Sequence, residues 1–325
     1  MTPRLPVPGG DTGNWGTVLN DFLAVVHDTA GALKAGSVTT TSLVDASVTT
    51  AKAAADLLTL ISAKYTKPGG GIPASDIDTA SLVADTNMRK VMAKLAEVGF
   101  SQSYTYFTWR TTKQELIDYG VEVSVGPSSE FMRPNFWPNT HDILLPPLRN
   151  GGVGAFKGRM VLAATMVPNY GIYSGYELLE NEPLDAAKNT DYLNSEKYEV
   201  RERDFNVPNN LKPWITIVNT ARQAHPALQE LHNIWFHGSD NDHVIAYSKQ
   251  SADGSDTVLV VVNLDPLHAQ ESTLNLDLGR MGIAWERPFE VFDEITRRSF
   301  PWAGPANYVR LEADEPAHIL HIRQG

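Results

Sequence analysis

Few side chains in this sequence have a spacing that identifies a chemistry by itself. The histidines that could ligate a metal lie too irregularly along the chain for a helical zinc pair, which needs two of them four residues apart: His232, His237, His243, His318 and His321. The glycine cluster at 150–154 lacks the Lys-Ser/Thr pair of a phosphate-binding loop and predicts a simple turn. We therefore predict no metal and no cofactor.

Composition excludes further classes of site. Cysteine is absent, which removes disulfides, thiolate zinc sites and cysteine nucleophiles. A formal net charge of -11 argues against binding nucleic acid, because phosphates recruit an excess of Lys and Arg. No apolar run approaches the roughly 18 residues of a membrane span, and residues 1–6 do not begin a signal peptide. We expect a cytoplasmic protein that binds no membrane, or alternatively one packaged into a virion.

The elements that must position any site change in character near residue 87. Residues 1–87 hold three aromatic side chains, against 26 in the remainder, so they have little to bury. A helix is predicted at 15–27, the tetrapeptide SVTT recurs at 37–40 and 47–50, and KPGGGIP at 67–73 is a breaker cluster typical of a linker. The repeat fits either a fibre whose core lies between subunits or a disordered linker.

From residue 88 the pattern is that of an α/β protein. Helices are predicted at 91–98, 112–119, 158–167 and 211–225, and strands at 103–109, 131–137 and 171–173. Alternation of this kind is typical of βα units from a parallel barrel. Past residue 231 the pattern becomes all-β, with strands at 258–264, 273–278, 289–293 and 318–322, which predicts an antiparallel β-sandwich.

Four stretches of this second block carry a specific resemblance. They are GFSQSYTYFTWR at 99–110, MRPNFWPNTHDIL at 132–144, GIYSGYEL at 171–178 and YLNSEKY at 192–198. Over about residues 88–325 the chain resembles the C-terminal part of the maltosyltransferases that extend α-1,4-glucans from maltose-1-phosphate. These enzymes belong to the α-amylase superfamily, glycoside hydrolase family 13.

The resemblance implies a retaining double displacement at the carboxyl ends of barrel strands. One Asp attacks the anomeric carbon, a Glu protonates the leaving phosphate, and a second Asp grips the sugar hydroxyls. Asp142 matches that second Asp, the stabiliser of the transition state, although Asp142 could instead merely cap a following helix or turn. His141 stands beside it where relatives often carry Pro, and Lys197 matches a sugar contact, although a loop lysine is usually just solvated. Tyr176 and Glu177 could line the pocket or support it structurally.

Two essential groups of the family's reaction have no match in this sequence. The only motif similar to Arg-x-Asp is Glu202-Arg203-Asp204, and it lies in a loop further along the chain than the strand that carries the family's nucleophile. Ala84 stands roughly where the acid Glu is expected, and Asp85 is one residue off and one methylene shorter. We therefore expect a truncated member of the family that is inactive alone.

The first block resembles the N-terminal region of tail-fibre or appendage proteins of actinobacterial phages. The matching stretches are VPGGDTGNWG at 7–16, LNDFL at 19–23, the SVTT repeats and KPGGGIP. Three functions stay open: a glucan maltosyltransferase, a phage-type appendage whose C-terminal module binds glucan, and a chimaeric gene product with no function of its own. The implied partners are an α-1,4-glucan, maltose-1-phosphate and, through the N-terminal arm, a second copy of the chain.

The expected fold class is α/β plus β. A low-complexity arm (1–66) and a linker (67–87) precede a partial (β/α)8 TIM barrel (88–230), its last three or so βα units, and a C-terminal antiparallel β-sandwich (231–325). We expect residues 1–87 to pack little against the rest, because they offer few large apolar side chains. An open barrel fragment also leaves a sheet edge and an uncovered face, which favours self-association.

Overall fold

The computed structural model describes residues 86–185, 190–196, 200–285 and 287–323. Predictions made for residues 1–85 and for Lys197 lie outside these residues. By its contacts the chain divides into two units, Met1–Ile77 and Asp78–Gly325, and every described residue belongs to the second. No helix of this described part is both long and apolar enough to cross a membrane.

The first half of the second unit alternates helices with short parallel strands. The helices are α1 (Thr86–Glu97), α2 (Lys113–Ser124), α3 (Pro146–Asn150), α4 (Gly152–Met166) and α5 (Lys212–Ala224), and the strands are β1 (Ser103–Tyr104), β2 (Pro134–Phe136) and β3 (Asn169–Tyr170). The strands form a parallel sheet in the order β1-β2-β3. Short 3-10 turns lie at Tyr106–Trp109, Pro127–Glu130, Tyr176–Leu178 and Pro226–Gln229. The predicted alternation of strands and helices is confirmed.

Helix α2 shows how local sequence sets an element boundary. Thr112 is its N-cap and forms a capping box with Glu115: the Thr112 hydroxyl accepts from the Glu115 backbone N–H, and Glu115 Oε2 accepts from the Thr112 backbone N–H over 3.0 Å. Burial raises the pKa of Glu115, but its hydrogen bonds from the backbone N–H groups of Thr112 and Thr111 outweigh this and leave the pKa lowered. The predicted helix start is confirmed, and the helix runs five residues further than predicted.

The predicted strand at 103–109 is wrong beyond its first two residues. Arg159 of α4 is buried, and its guanidinium donates to the carbonyl oxygens of Phe107, over 2.8 Å, and Arg110. The Phe107 carbonyl also accepts from the Arg110 backbone N–H at 2.9 Å, which closes a 3-10 turn where a strand was predicted. The Phe107 ring then stacks on Phe136 of β2 at 4.4 Å and lies under the Arg159 guanidinium.

The structure also differs from prediction at β3, at the 150–154 turn and at the start of α4. Strand β3 lies two residues before the predicted 171–173, although the Gly171 N–H still donates to the Phe136 carbonyl at 3.0 Å. The predicted turn at 150–154 is only a junction, in which Gly151 separates α3 from α4. Helix α4 starts six residues earlier than predicted, and Gly154 of its first turn has no room for a side chain, because a Cβ there would lie 2.0 Å from the Ala313 carbonyl oxygen.

The second half is antiparallel. Its strands are β4 (Ile234–Ser239), β5 (Val244–Gln250), β6 (Thr257–Asn263), β7 (Gln270–Asn275), β8 (Phe289–Asp293), β9 (Ser299–Trp302), β10 (Ala306–Leu311) and β11 (Ala317–Arg323). They pair in the order β10-β7-β4-β5-β6-β11-β8-β9. The sheet is continuous because β4 pairs with β5 along its first part and with β7 through Gly238 and Ser239. The predicted β character past residue 231 is confirmed as one eight-stranded antiparallel sheet.

Strand β6 is buried along its whole length and contributes to two hydrophobic cores. Val258, Val260 and Val262 belong to a core shared with α4, α5 and the short parallel strands. Leu259 and Val261 belong to a second core, shared with apolar side chains of β7, β8 and β10. Because successive side chains of a strand point to opposite faces, a strand covered on both faces reads as the unbroken apolar run VLVVV.

Candidate functional site

The segment that follows β2 turns back on itself, and His141 and Asp142 lie at the tip of this turn. Thr140 and Ile143 close it as an isolated antiparallel bridge with two backbone hydrogen bonds of 3.2 Å. The Thr140 hydroxyl donates to Asp142 Oδ1 over 2.7 Å, and the Thr190 hydroxyl donates to the Asp142 carbonyl over 2.6 Å. Asp142 is therefore held from both ends while its side chain stays 38% exposed, beside the 46% exposed His141.

The neighbouring helix bears on the alternative that Asp142 is only a helix cap. Helix α3 begins at Pro146, its N-cap residue is Leu145, and no side chain caps it. His141 Nε2 lies 3.9 Å from Asp142 Oδ2, which is longer than a hydrogen bond. Asp142 therefore does not cap α3, and its partly exposed carboxylate has the His141 imidazole beside it.

Asn139, which comes just before this turn, connects it to two neighbouring segments through hydrogen bonds. It is fully buried; its Nδ2 donates to the Tyr192 hydroxyl at 2.8 Å, and its Oδ1 accepts from the Tyr173 backbone N–H at 3.1 Å. One amide thus joins the loop after β2, the loop after β3 and the segment at 190–196. Burial raises the pKa of Tyr192, so its hydroxyl stays neutral.

Tyr173 supplies an aromatic ring beside the exposed pair. Its ring lies 6.3 Å from the His141 ring in an edge-on arrangement and 5.5 Å from the Tyr192 ring. The Tyr173 hydroxyl donates to Glu196 Oε2 and accepts from the Glu196 backbone N–H at 3.1 Å. Contacts at both ends of the side chain fix its direction, so a half-exposed ring stands next to the Asp142 turn.

Behind Tyr173 lies an ionic network centred on Arg203. Its guanidinium donates to both oxygens of Glu180, at 3.0 and 3.2 Å, and to both oxygens of Glu196. Arg201 also contacts Glu180 at 3.0 Å. Burial lowers the pKa of Arg203, but its hydrogen bonds to the two carboxylates outweigh this effect and raise the pKa. The hydrogen bond from Arg203 is also the main reason that the pKa of Glu196 is lowered.

Gly175 is required where this network meets the loop after β3. Its φ is +99°, in the left-handed region that favours glycine, and a Cβ at this position would lie 2.2 Å from Glu180 Oε2. The Gly175 N–H donates to Glu177 Oε2 at 3.1 Å. The loop can therefore pass close to the carboxylates only because residue 175 has no side chain.

The structure places the predicted site residues in different surroundings. His141 and Asp142 lie together at one exposed turn, as described. Glu177 is half-buried; its carboxylate accepts from Gly175 and its carbonyl from the Leu211 N–H at 2.7 Å, so its observed contacts support the loop. Lys197 lies outside the described residues.

Tyr176 is the one predicted pocket residue that the structure buries completely. Its ring packs against Phe156 of α4 at 4.7 Å, and its hydroxyl donates to the Phe156 carbonyl. Burial raises its pKa well above the usual value. A side chain enclosed in the core cannot line an open pocket, so the pocket interpretation of Tyr176 is wrong, and the structural alternative accounts for it.

Sequence reasoning missed Asn139, Tyr173 and the network of Arg203 with Glu180 and Glu196. Asn139 and Tyr173 lie inside stretches already singled out by resemblance, but a buried amide and an aromatic ring have no spacing that marks them. Glu202-Arg203-Asp204 does not match the family's nucleophile in position, but its loop supplies the central cation of the network. Charges far apart in sequence give no signal of their pairing before the fold is known.

The arrangement suits recognition of a polyol better than proton transfer. An exposed carboxylate can accept hydrogen bonds from adjacent hydroxyls, and the Tyr173 ring offers a flat apolar face. Glu196 is unsuited to act as a general acid, because Arg203 holds it ionised and a general acid needs a pKa near the working pH. The carboxylates of Glu180 and Glu196 are both hydrogen-bonded by Arg203, and Glu180 is also paired with Arg201.

Comparison with known proteins points to one family. A family model described as "GLGE, C-terminal" matches residues 236–322. The chain is 50% identical over 258 residues to alpha-1,4-glucan:maltose-1-phosphate maltosyltransferase 2 of Streptomyces coelicolor, a match that covers 78% of this chain and 38% of that protein. The maltosyltransferase of Mycobacterium tuberculosis is 46% identical over 233 residues, covering 33% of its length. The chain thus spans less than two fifths of these relatives.

Solved structures agree on the fold. An alpha-amylase from Geobacillus thermoleovorans, complexed with acarbose, aligns with 72% of this chain and 51% of its own at a TM-score of 0.54 and 14% identity. An Anoxybacillus alpha-amylase aligns with 73% of this chain and 50% of its own at a TM-score of 0.52 and 13% identity. Resemblance at this low identity bears on architecture, which is of the alpha-amylase type.

Proposed function

We propose that residues 88–325 act as the C-terminal part of a maltose-1-phosphate-dependent α-1,4-glucan maltosyltransferase. The observation that carries the proposal is 50% identity over 258 residues to a relative of that name. The three parallel strands with their helices would be the last βα units of a (β/α)8 barrel, and the eight-stranded sheet the β domain that follows it. The amylase-type neighbours support this assignment of architecture.

Within this part, Asp142 would grip sugar hydroxyls and stabilise the transition state. Its support is geometric: the carboxylate is exposed, follows a parallel strand and is fixed by Thr140 and Thr190. Active sites of barrels lie at this carboxyl end of the strands. His141 and Tyr173 would flank the same sugar. Lys197 remains a proposed sugar contact, and Glu177 a supporting one.

We further propose that this chain does not transfer maltose on its own. A retaining reaction needs a nucleophile and an acid about 5–5.5 Å apart across the scissile bond. The sequence offers no match for the family's Arg-x-Asp nucleophile, and Ala84 stands near the place of the acid. Asp142 can replace neither, because a group that holds hydroxyls touches neither the anomeric carbon nor the phosphate. Loss of the acid alone typically costs about 10²–10⁴-fold in rate.

The test combines turnover with binding. The full chain is mixed with maltose-1-phosphate and a maltooligosaccharide, and phosphate release is followed. We expect no release above background, together with maltooligosaccharide binding in a calorimetric titration that is weakened at least tenfold in Asp142→Asn. The matched control is Asp314→Asn, an exposed Asp in the loop between β10 and β11. Turnover that disappears in Asp142→Asn would show a complete active site and overturn the proposed inactivity.

A second candidate is an appendage protein whose C-terminal module binds glucan without acting on it. It is favoured by a sugar-gripping carboxylate in a sequence that has no matching nucleophile. Binding without turnover fits both candidates, so a further measurement separates them. If adding the missing barrel half of a maltosyltransferase relative as a separate chain restores phosphate release, the enzyme fragment is favoured. If it does not, the binding module is favoured.

A further inference from the structure

A second group of titratable side chains lies far along the sequence from Asp142, where α5 meets the antiparallel sheet. His225 is the C-cap residue of α5, Asp256 immediately precedes β6, Glu294 immediately follows β8 and His321 lies on β11. His225 is buried, and the other three are buried or half-buried. Four separate segments thus bring two imidazoles and two carboxylates together.

The hydrogen bonds around His225 require a positive charge. Its Nδ1 lies 2.8 Å from Asp256 Oδ1, and its Nε2 lies 3.3 Å from Glu294 Oε1. Both partners are carboxylate oxygens, which only accept when ionised, whereas a neutral imidazole has a single N–H. With Nδ1–H donating to Asp256, the Nε2 lone pair would face Glu294 directly. Either a second proton or a metal cation must lie between them.

Asp256 has the contacts of a residue that positions a metal-binding histidine. Its Oδ2 accepts from the Ala227 backbone N–H at 2.9 Å, so the carboxylate is held from two sides. A carboxylate on the far nitrogen of a ligating histidine fixes the tautomer and orients the ring in many metal sites. Here that contact would leave Nε2 of His225 free to bind.

We propose that His225, Glu294 and His321 form a binding site for a first-row divalent cation, with zinc the best match, and that Asp256 orients His225. Two imidazoles and one carboxylate are a known zinc ligand set, in which a fourth position remains for a small ligand. The cation would also neutralise the two carboxylates that surround His225. Because its ligands come from the C-cap of α5, the residue after β8 and strand β11, it would fasten the helix to the sheet.

The distances are close to those of a formed site. The ligand atoms of the three residues all lie within 4.8 Å of one another. Tetrahedral zinc with bonds of about 2.05 Å separates its ligand atoms by roughly 3.3 Å, the distance that already separates His225 Nε2 from Glu294 Oε1. His321, whose side chain is 28% exposed, has its ring 4.6 Å from that of His225 and its Nε2 3.8 Å from Asp256 Oδ1, so it has to move to complete the site. Arg297 holds the other oxygen of Glu294 and leaves Oε1 for the site.

The experiment titrates zinc into the full chain after removal of bound metal with a chelator. We expect one equivalent to bind in calorimetry and to raise the melting temperature, and cobalt to give visible absorption bands of a four-coordinate site. His321→Ala and Glu294→Gln should each weaken zinc binding at least tenfold. Asp256→Asn should weaken it about 10–100-fold while keeping the ligands.

Two matched controls separate this site from adventitious binding. His318 lies on the same strand as His321 but pairs with Asp293 at 2.9 Å, and the exposed His268 pairs with Asp265 at 3.0 Å. His318→Ala and His268→Ala should bind zinc as the unmodified chain does. The proposal is overturned if the unmodified chain binds no zinc at 100 µM, or if His321→Ala and Glu294→Gln bind it unchanged.

Discussion

Arg203 shows how a single side chain can organise an exposed site. Its guanidinium joins Glu180, in the loop after β3, to Glu196, which also holds the Tyr173 hydroxyl. Its side chain is 4% exposed, and a cation removed from water in this way needs ionic partners, which Glu180 and Glu196 supply. The direction of the Tyr173 ring beside Asp142 therefore depends on a cation 30 residues away in sequence.

Lys249 is a fully buried lysine, and its lowered pKa leads to a prediction of how stability depends on pH. Its Nζ donates to the Glu230 carbonyl at 2.6 Å and to the Met166 carbonyl at 3.3 Å. Burial is the main cause that lowers its pKa to about 7, with a smaller contribution from the charge of Arg222. An exposed lysine in the unfolded chain has a pKa of about 10.4.

Between about pH 7 and 10 the unfolded chain therefore binds a proton at residue 249 that the folded chain does not. Stability rises with pH across this window, by at most about 1.4 kcal/mol per pH unit, and this contribution is lost as the pH falls through 7. We expect urea denaturation to show that the stability of the unmodified chain relative to Lys249→Met increases from pH 7 to pH 9.5. Lys212→Met, at an exposed position of α5, should follow the unmodified chain at every pH. A constant difference for Lys249→Met would contradict the prediction.

At the scale of elements, helix α4 is fixed against the sheet domain by a close approach of backbones. A Cβ on Gly154 would lie 2.0 Å from the carbonyl oxygen of Ala313, which belongs to the loop between β10 and β11. Lys157, one turn later, donates to the Asp314 carbonyl of the same loop at 2.7 Å. The contact positions α4 along the sheet and leaves no space for a larger residue.

Gly154 and Gly158 of α4 form a matched pair for a test of this contact. Gly154→Ala should destabilise the chain by about 3 kcal/mol, because helix and loop must separate to admit a methyl group. At Gly158 the nearest atoms would be 3.5 Å from a Cβ, so Gly158→Ala should be neutral or stabilise by up to about 1 kcal/mol through helix propensity. Chemical denaturation measures the free energy of unfolding of both variants. Equal changes in Gly154→Ala and Gly158→Ala would show that the close approach at Gly154 is unimportant.

Elements governed by local rules were predictable from the sequence, and those governed by distant side chains were not. The start of α2 depends on two residues three apart, Thr112 and Glu115, and the sheet depends on the alternating apolar residues of the last third. Residues 103–109 have the composition of a strand, but Tyr106–Trp109 form a 3-10 turn beside Arg159, which donates to the Phe107 and Arg110 carbonyls. In the site, resemblance identified the turn of Asp142, whereas Tyr176 proved to be core because α4 encloses it. No sequence pattern links His225 to Glu294.

At the scale of the whole molecule, the second unit is predicted to fold without the first. Residues 1–87 hold only three aromatic side chains, so they have little apolar surface to contribute. A chain of residues 78–325 should therefore unfold at the same urea midpoint, within about 0.3 M, as the full chain, with an unchanged slope. A midpoint lower by 1 M would show that the N-terminal residues stabilise the rest. The same pair of chains, compared by light scattering, tests self-association through the N-terminal arm.

Strand β6 is buried on both faces, and this limits where recombination can divide the gene. Val260 belongs to the core that includes α4 and α5, and its neighbour Val261 belongs to the core of the sheet. A recombination event that separated the helices from the strands, near residue 230, would leave each product with an open hydrophobic surface. Gene shuffling should therefore tolerate breakpoints before residue 88 and select against those inside 88–323. The helices and the sheet would then be exchanged between genomes together, as one segment.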